Sequence, residues 1–305
     1  MYSIYACALV KARLVLMKVA KIITTSFVPK AVRETSELCG NPLGFFSHSQ
    51  NFPSKESVVD LLKFVINKEK KCDPGCNTDL IIVNNDTGWQ KGIDYLDAVN
   101  QGRLKRGVIR VFHRENFGRS FGGYNFAFKK LKDEYDYFIF TEDDIVVSVD
   151  GYASIGIDIF NKTENCGFVA YEGVTNKSIF NLSKEDTISA YGGVGLSSTK
   201  VLNYILDKYG SLPYAGKGSS QEYVDIIKNG EIAFTNKIYK AGFQLVSVPK
   251  NTKLYGFAYD MMNGISVKRY PSLLEAINHK VKIILYKISI VRRIHRLCKN
   301  ALKKA

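Results

Sequence analysis

Tyr137-Phe-Ile-Phe-Thr-Glu-Asp-Asp-Ile145 changes character halfway along. Four aromatic or β-branched residues and a threonine read as a strand buried on both faces, and three consecutive acids then close it. Three other stretches have the same apolar habit: Lys18 to Val28, Asp79-Leu-Ile-Ile-Val83 and Val108-Ile-Arg-Val-Phe112. Asn84-Asn-Asp86-Thr-Gly88 follows the second, and the polar loop His113-Arg-Glu-Asn-Phe-Gly118 is expected after the third. Between them, Ser54 to Lys68 carries apolar residues at helical spacing (Val58, Leu61, Leu62, Val65), with Ser54 or Ser57 as its cap. Ser120 to Leu131 repeats that spacing with Phe121, Tyr124, Phe128 and Leu131. Strands alternating with helices predict an α/β fold with a mixed, mostly parallel sheet flanked by helices.

The second half is read as strands Phe168–Tyr171, Ile188–Tyr191 and Gln244–Val248, with helices Ser198–Tyr209 and Asn229–Lys240. The chain has 305 residues, 46% of them hydrophobic and 12% aromatic, which excludes a disordered chain. No apolar run reaches the roughly 20 residues that span a bilayer. Lys11, Arg13 and Lys18 interrupt the N-terminal stretch, so it does not read as a signal peptide. Residues 1–17 read either as an extension outside the fold or as a native part of the chain. The six cysteines have no zinc-type spacing and are expected to be reduced cytosolic thiols.

The net charge of +14 is unevenly distributed. From Lys268 onward there are eleven Lys and Arg against the single acid Glu275, so this segment alone carries +10. Ile288, Val291, Ile294, Cys298 and Leu302 fall on one helical face there, with Arg292, Arg293, Arg296, Lys299 and Lys303 opposite. A C-terminal basic amphipathic helix docking on an anionic membrane surface is the expectation, against a solvated helix packed on its own domain. The nearly balanced body argues against nucleic acid as a partner.

In open α/β sheets ligands bind beyond the carboxyl ends of the strands. Two strands here end in carboxylates, one at Asp86 and one at Glu142-Asp143-Asp144. Adjacent acids repel, and a hard divalent cation, Mg²⁺ or Mn²⁺, would neutralise them while bridging phosphates. An isolated acidic triplet is also consistent with a solvated turn; its place at a strand end favours a site.

Arg114-Glu-Asn116-Phe-Gly118-Arg-Ser-Phe-Gly-Gly-Tyr-Asn125, followed by the acidic strand end, resembles the family-two glycosyltransferases of the GT-A fold, and the Glu-Asp-Asp variant is similar to that of some N-acetylglucosaminyltransferases. The resemblance covers about residues 18–250. It implies a GT-A Rossmann-like domain (18–265), preceded by residues 1–17 and followed by a basic tail (266–305). It also implies that Asp86 reads the nucleotide base, that Asp144 binds the metal, and that Glu142 and Asp143 hold the ribose and the metal's waters. Thr25, Arg114, Asn116, Gly118 and Asn125 complete the implied donor set. In Gly230-Glu231 through Gly242-Phe243 the family's acidic pair is reduced to one acid, leaving Glu231 at the position of the catalytic base. The alternative is that Glu231 only complements the dipole of the helix start expected there. Tyr191-Gly192-Gly193-Val-Gly195 resembles the glycine-rich strand beside the acceptor sugar; a plain bulged strand is the competing reading. Many relatives supply a later His to the metal; here no His lies between His113 and His279, which leaves Asp260 or water.

The function expected from the resemblance is inverting transfer of a sugar from a UDP- or dTDP-sugar to a glycan or lipid-linked glycan. The setting expected is surface-polysaccharide biosynthesis, in the cytoplasm or on the inner face of the cell membrane. The competing classes are a sugar-nucleotide nucleotidyltransferase and a non-enzymatic binder acting through the basic tail. The first wants a Gly-rich basic loop after the first strand, where Thr24-Thr-Ser-Phe-Val-Pro29 stands instead.

Overall fold

The apolar run at Lys18–Thr25 forms strand β1, which pairs in parallel with β2 (Asn77–Asp86) on one side and β5 (Tyr137–Glu142) on the other. The computed structural model describes residues 17–28, 54–176, 183, 185–215, 226–249 and 251–262. These belong to one compact unit; residues 1–16, 29–53 and the basic tail expected at 266–305 lie outside the described residues. Beyond β2 comes β4 (Gly107–Glu115), again parallel, edged by the two-residue β3 (Arg103–Leu104). On the far side of β5 lie β10 (Gly195–Ser198), β7 (Cys166–Ala170) and β11 (Gln244–Ser247). The eight-stranded order is β11-β7-β10-β5-β1-β2-β4-β3, with only β3 and β10 running against the rest. The expected α/β class with a mostly parallel sheet is therefore observed.

Helices cover both faces: α1 (Lys55–Lys71), α2 (Gln90–Val99), α3 (Arg119–Leu131), α4 (Tyr152–Lys162), α5 (Thr199–Tyr209) and α6 (Ala233–Lys240). Strand alternation divides the core. Ala20, Ile22, Phe138 and Phe140 point to the layer holding Phe121, Tyr124 and Phe128 of α3 with Phe234 of α6. Val19 and Ile139 point to the opposite layer, with Ala153 and Ile157 of α4. Ser54 caps α1 by accepting from the Ser57 amide, and Ser57 returns the bond to the Ser54 amide.

Three boundaries differ from expectation. β4 continues through His113-Arg114-Glu115, where a loop is expected, and β2 carries its apolar run on through Asn84-Asn85 to Asp86. Polar contacts cross the ladder there: Asn84 Nδ2 lies 3.0 Å from His113 Nδ1, and Arg114 donates to Asn85 Oδ1 at 2.6 Å. Ile188–Ala190 forms β9, paired with β8 (Val174–Asn176) in a separate two-stranded ribbon, and Tyr191–Gly193 is a 3₁₀ turn, not a strand. Finally, a π-helix, Ile226–Ile232, runs directly into α6, so the helix expected from Asn229 starts earlier.

Candidate functional site

The sheet order creates a crevice before any side chain is considered. From β1 the chain turns toward β2, whereas from β5 it continues toward β7 on the other side. Adjacent strands whose outgoing connections diverge mark the ligand crevice of open α/β sheets. Thr25 ends β1 and Glu142 ends β5, with Thr24 opposite Glu142 in register. Thr25 Oγ1 donates to Asp143 Oδ2 at 2.8 Å. Thr25, Asp143 and Asp144 are all buried at this edge, and Glu142 is half-buried. Two expected donor residues separated by 118 positions are thus joined directly.

The turn after the acids is held by a second ribbon. β6 (Ile145–Val147) pairs with β12 (Tyr255–Phe257), and the Ala258 amide that opens α7 (Ala258–Met261) donates to the Asp144 carbonyl at 2.7 Å. The backbone carrying Asp260 is therefore brought beside Asp144; the side chain of Asp260 lies outside the described residues. Beneath the edge, Tyr124 of α3 is fully buried; burial first, then Glu142, Asp144 and Asp143, hold its phenol well above the ordinary range. Close approach of α3 is possible because Gly123 has no side chain: a Cβ there would sit 2.6 Å from Thr24 Cγ2.

On the other wall, Glu231 Oε1 accepts a hydrogen bond from the Gly192 amide at 3.1 Å. The expected base and the expected acceptor-side glycines are brought together across 39 positions. Gly192 and Gly193 both have positive φ (60° and 65°), which glycine adopts without strain and which makes the 3₁₀ turn that presents the Gly192 amide. Glu231 does not stand on a helix N-terminal turn. It lies within the π-helix, so the helix-dipole argument does not apply, and the Gly192 amide is what orients its carboxylate. Short π segments recur at functional sites. The missing first acid has a packing reason: a Cβ at the buried Gly230 would sit 3.0 Å from Phe121 Cδ2.

Two further residues, to which motif reading gave no role, stand near the walls. Tyr191 is 46% exposed; burial, followed by Glu231, Glu172, Asp144 and Glu142, raises its pKa. One phenol is therefore within electrostatic reach of both the Glu231 wall and the acidic edge. Glu172 follows β7 at its carboxyl end, and burial raises its pKa. The position of Glu172 after the strand Phe168–Tyr171 was the available signal in the sequence.

The remaining donor residues stand elsewhere. Asp86 ends β2, exposed, with Oδ1 accepting from the Gly88 amide at 2.7 Å. Arg114 braces its own surroundings, donating to Asn85 Oδ1 and to the Phe117 carbonyl at 2.5 Å. Asn125 Oδ1 accepts from the Leu212 amide at 2.9 Å, and Gly118 (φ 74°) opens α3 under the Tyr214 ring. Asn116 Oδ1 is buried and makes no hydrogen bond among the described residues. Arg114 and Asn125 line a pocket on the outward face of α3, not the acidic edge.

Among the described residues, no three His, Cys, Asp or Glu side chains are grouped so as to hold a metal ion by themselves. A Mg²⁺-type ion commonly takes one or two carboxylates and completes its shell with substrate phosphates and water, and the paired, buried Asp143 and Asp144 fit that mode. No described helix is long and apolar enough to cross a membrane. Cys72, Cys76 and Cys166 are free thiols.

No protein-family model and no curated protein matches the chain. Among solved structures it is similar to a mannosyltransferase from Pyrobaculum calidifontis, determined in complex with GDP-mannose and Mn²⁺. The match has 12% identity and a TM-score of 0.44, covering 87% of this chain and 64% of the mannosyltransferase. The chain thus spans less than two thirds of that protein's length, and a likeness at this level transfers no residue roles.

Proposed function

We propose that the chain is an inverting glycosyltransferase that moves a sugar from a nucleoside-diphosphate donor to a glycan or lipid-linked glycan acceptor. The observation that carries this reading is the pairing of the two walls: Thr25 bonded to Asp143 on one, Glu231 bonded to the Gly192 amide on the other, and Tyr191 within reach of both. Asp86 and Glu142 end strands two places apart in the sheet, a separation of about 10 Å from ordinary strand spacing. That span suits a nucleotide whose base meets Asp86 and whose diphosphate lies at Asp143 and Asp144.

Asp144, supported by Asp143 and Glu142, would hold Mg²⁺ or Mn²⁺, which when bound supplies Lewis-acid neutralisation of the departing diphosphate. Thr25 fixes the Asp143 carboxylate, and burial of the edge strengthens its electrostatics. Glu231, oriented by the Gly192 amide, takes the proton of the acceptor hydroxyl as that oxygen bonds to the anomeric carbon. The bond from that carbon to the diphosphate oxygen breaks on the opposite side, and the nucleoside diphosphate leaves with the electron pair. A single displacement with one base inverts the anomeric centre. The basic segment 266–305 would suit a lipid-linked acceptor and a surface-polysaccharide role at the inner membrane face.

Glu231→Gln tests the assignment. Transfer is expected to fall by about 10²- to 10⁴-fold, with nucleotide binding retained. Full turnover in that variant would remove Glu231 from the mechanism.

A further inference from the structure

The two residues Arg114 and Asn125 that motif reading assigned to the donor point to something else. They border a cavity of about 420 Å³ on the outward face of α3. Its cations are Arg114, Lys129 and Lys130, its rings are Phe117, Phe126 and Tyr214, and no described carboxylate lines it. Helix geometry explains the composition. Phe121, Tyr124 and Phe128 turn into the core, leaving Gly122, Asn125, Phe126, Lys129 and Lys130 on the adjoining side of the helix. None of the acids near Tyr124 that raise its pKa, Glu142, Asp143 and Asp144, lines this pocket.

The walls are built, not incidental. Asn125 holds the Leu212 amide, which brings Tyr214 over the helix, where its ring meets Phe117 edge-on at 5.6 Å. The Arg114 guanidinium is fixed by Asn85 and the Phe117 carbonyl and lies 5.9 Å from the Phe126 ring centroid. Lys129 reaches the Gly210 carbonyl at 3.1 Å, so its ammonium lies along the rim. The volume is that of a small-molecule site. Cations lining one pocket favour an oxyanion, and aromatic walls favour a ring.

We propose that this pocket binds a phosphate ester of a ring compound, such as a sugar phosphate, at a site distinct from the acidic crevice. The site stands independently of the transferase reading. The test is calorimetric titration of the full chain with glucose 1-phosphate and with inorganic phosphate, in EDTA at low salt. Saturable binding is expected, several-fold tighter for the sugar phosphate and weaker as salt rises. Lys129→Gln/Lys130→Gln, which changes two exposed side chains, is expected to weaken it about tenfold. Tyr214→Ser should erase the preference for the sugar ester, while Asp144→Asn leaves binding unchanged. No saturable binding, equal affinity for both probes in the unaltered chain, or loss in Asp144→Asn with none in the lysine variant would each overturn the proposal. Failure of the transferase reading would leave these results unchanged, which keeps the two separable.

Discussion

Glu172 shows what a single residue at a strand end can and cannot disclose. Burial raises its pKa above the ordinary 4.5, so the folded chain holds its proton more tightly than the unfolded chain does. Its contribution to stability is therefore present below about 4.5 and is lost as pH rises through the raised folded value. Replacing it by glutamine removes the cost of burying the charge. Glu172→Gln should match the parent in thermal midpoint at acid pH and exceed it by a growing margin toward neutral pH; equal midpoints at both ends would contradict that burial. At this scale the sequence was partly legible. Asp143, Asp144 and Glu231 stood out because each sits in a recognisable run. Glu172 sits in no such run, and Tyr191 heads the glycine-rich run without a role of its own there, since its reach to Glu231 and the acidic edge comes only from folding. Arg114 and Asn125 were legible as functional types, and the fold places both in the lining of a pocket beside α3.

Elements were read well where caps, helical apolar spacing or long apolar runs marked them and poorly where these were weak. α1 and α5 open on Ser54 and Ser198, each accepting from a helix amide, and both were anticipated. α2 and α4 open on Trp89 and Gly151 with no side-chain cap, and neither was. β3, β6, β8 and β12, of two or three residues, have no period to detect; pairing alone defines them. The most consequential contact between elements was also hidden. Lys21 interrupts the apolar β1 yet is fully buried, its ammonium paired with Glu69 of α1 and 4.9 and 4.7 Å from the Tyr152 and Tyr255 rings. Tyr152 Oη donates to Glu69 Oε2 at 3.1 Å. Burial lowers the Lys21 pKa and Glu69 opposes that shift. Removing one partner strands a buried charge, so Lys21→Met and Glu69→Leu should each cost about 3–5 kcal/mol in denaturant unfolding. The double variant should recover most of that loss; simply additive costs would show that the two groups do not act as a pair.

Across the whole molecule, charge is segregated. The crevice gathers Glu142, Asp143, Asp144 and Glu172 near strand ends with Glu231 of the π-helix, whereas the described side chains lining the pocket beside α3 include three cations and no carboxylate. The α/β class with a mostly parallel sheet was legible because the strands are predominantly apolar segments separated by stretches of helical spacing. The antiparallel insertion of β10 between β5 and β7 was not, because strand order is set by long-range pairing. The central claim is that the Thr25 and Asp143–Asp144 corner holds a nucleoside diphosphate with a divalent ion. Thermal stabilisation by UDP, GDP, CMP and dTDP, each with and without Mn²⁺, tests it most directly in the full chain and in Asp144→Ala. One nucleotide should raise the midpoint only with Mn²⁺, by the equivalent of about 2.7 kcal/mol at a hundredfold excess over Kd, and Asp144→Ala should abolish the rise. No shift with any nucleotide, or a shift that survives Asp144→Ala, would contradict it.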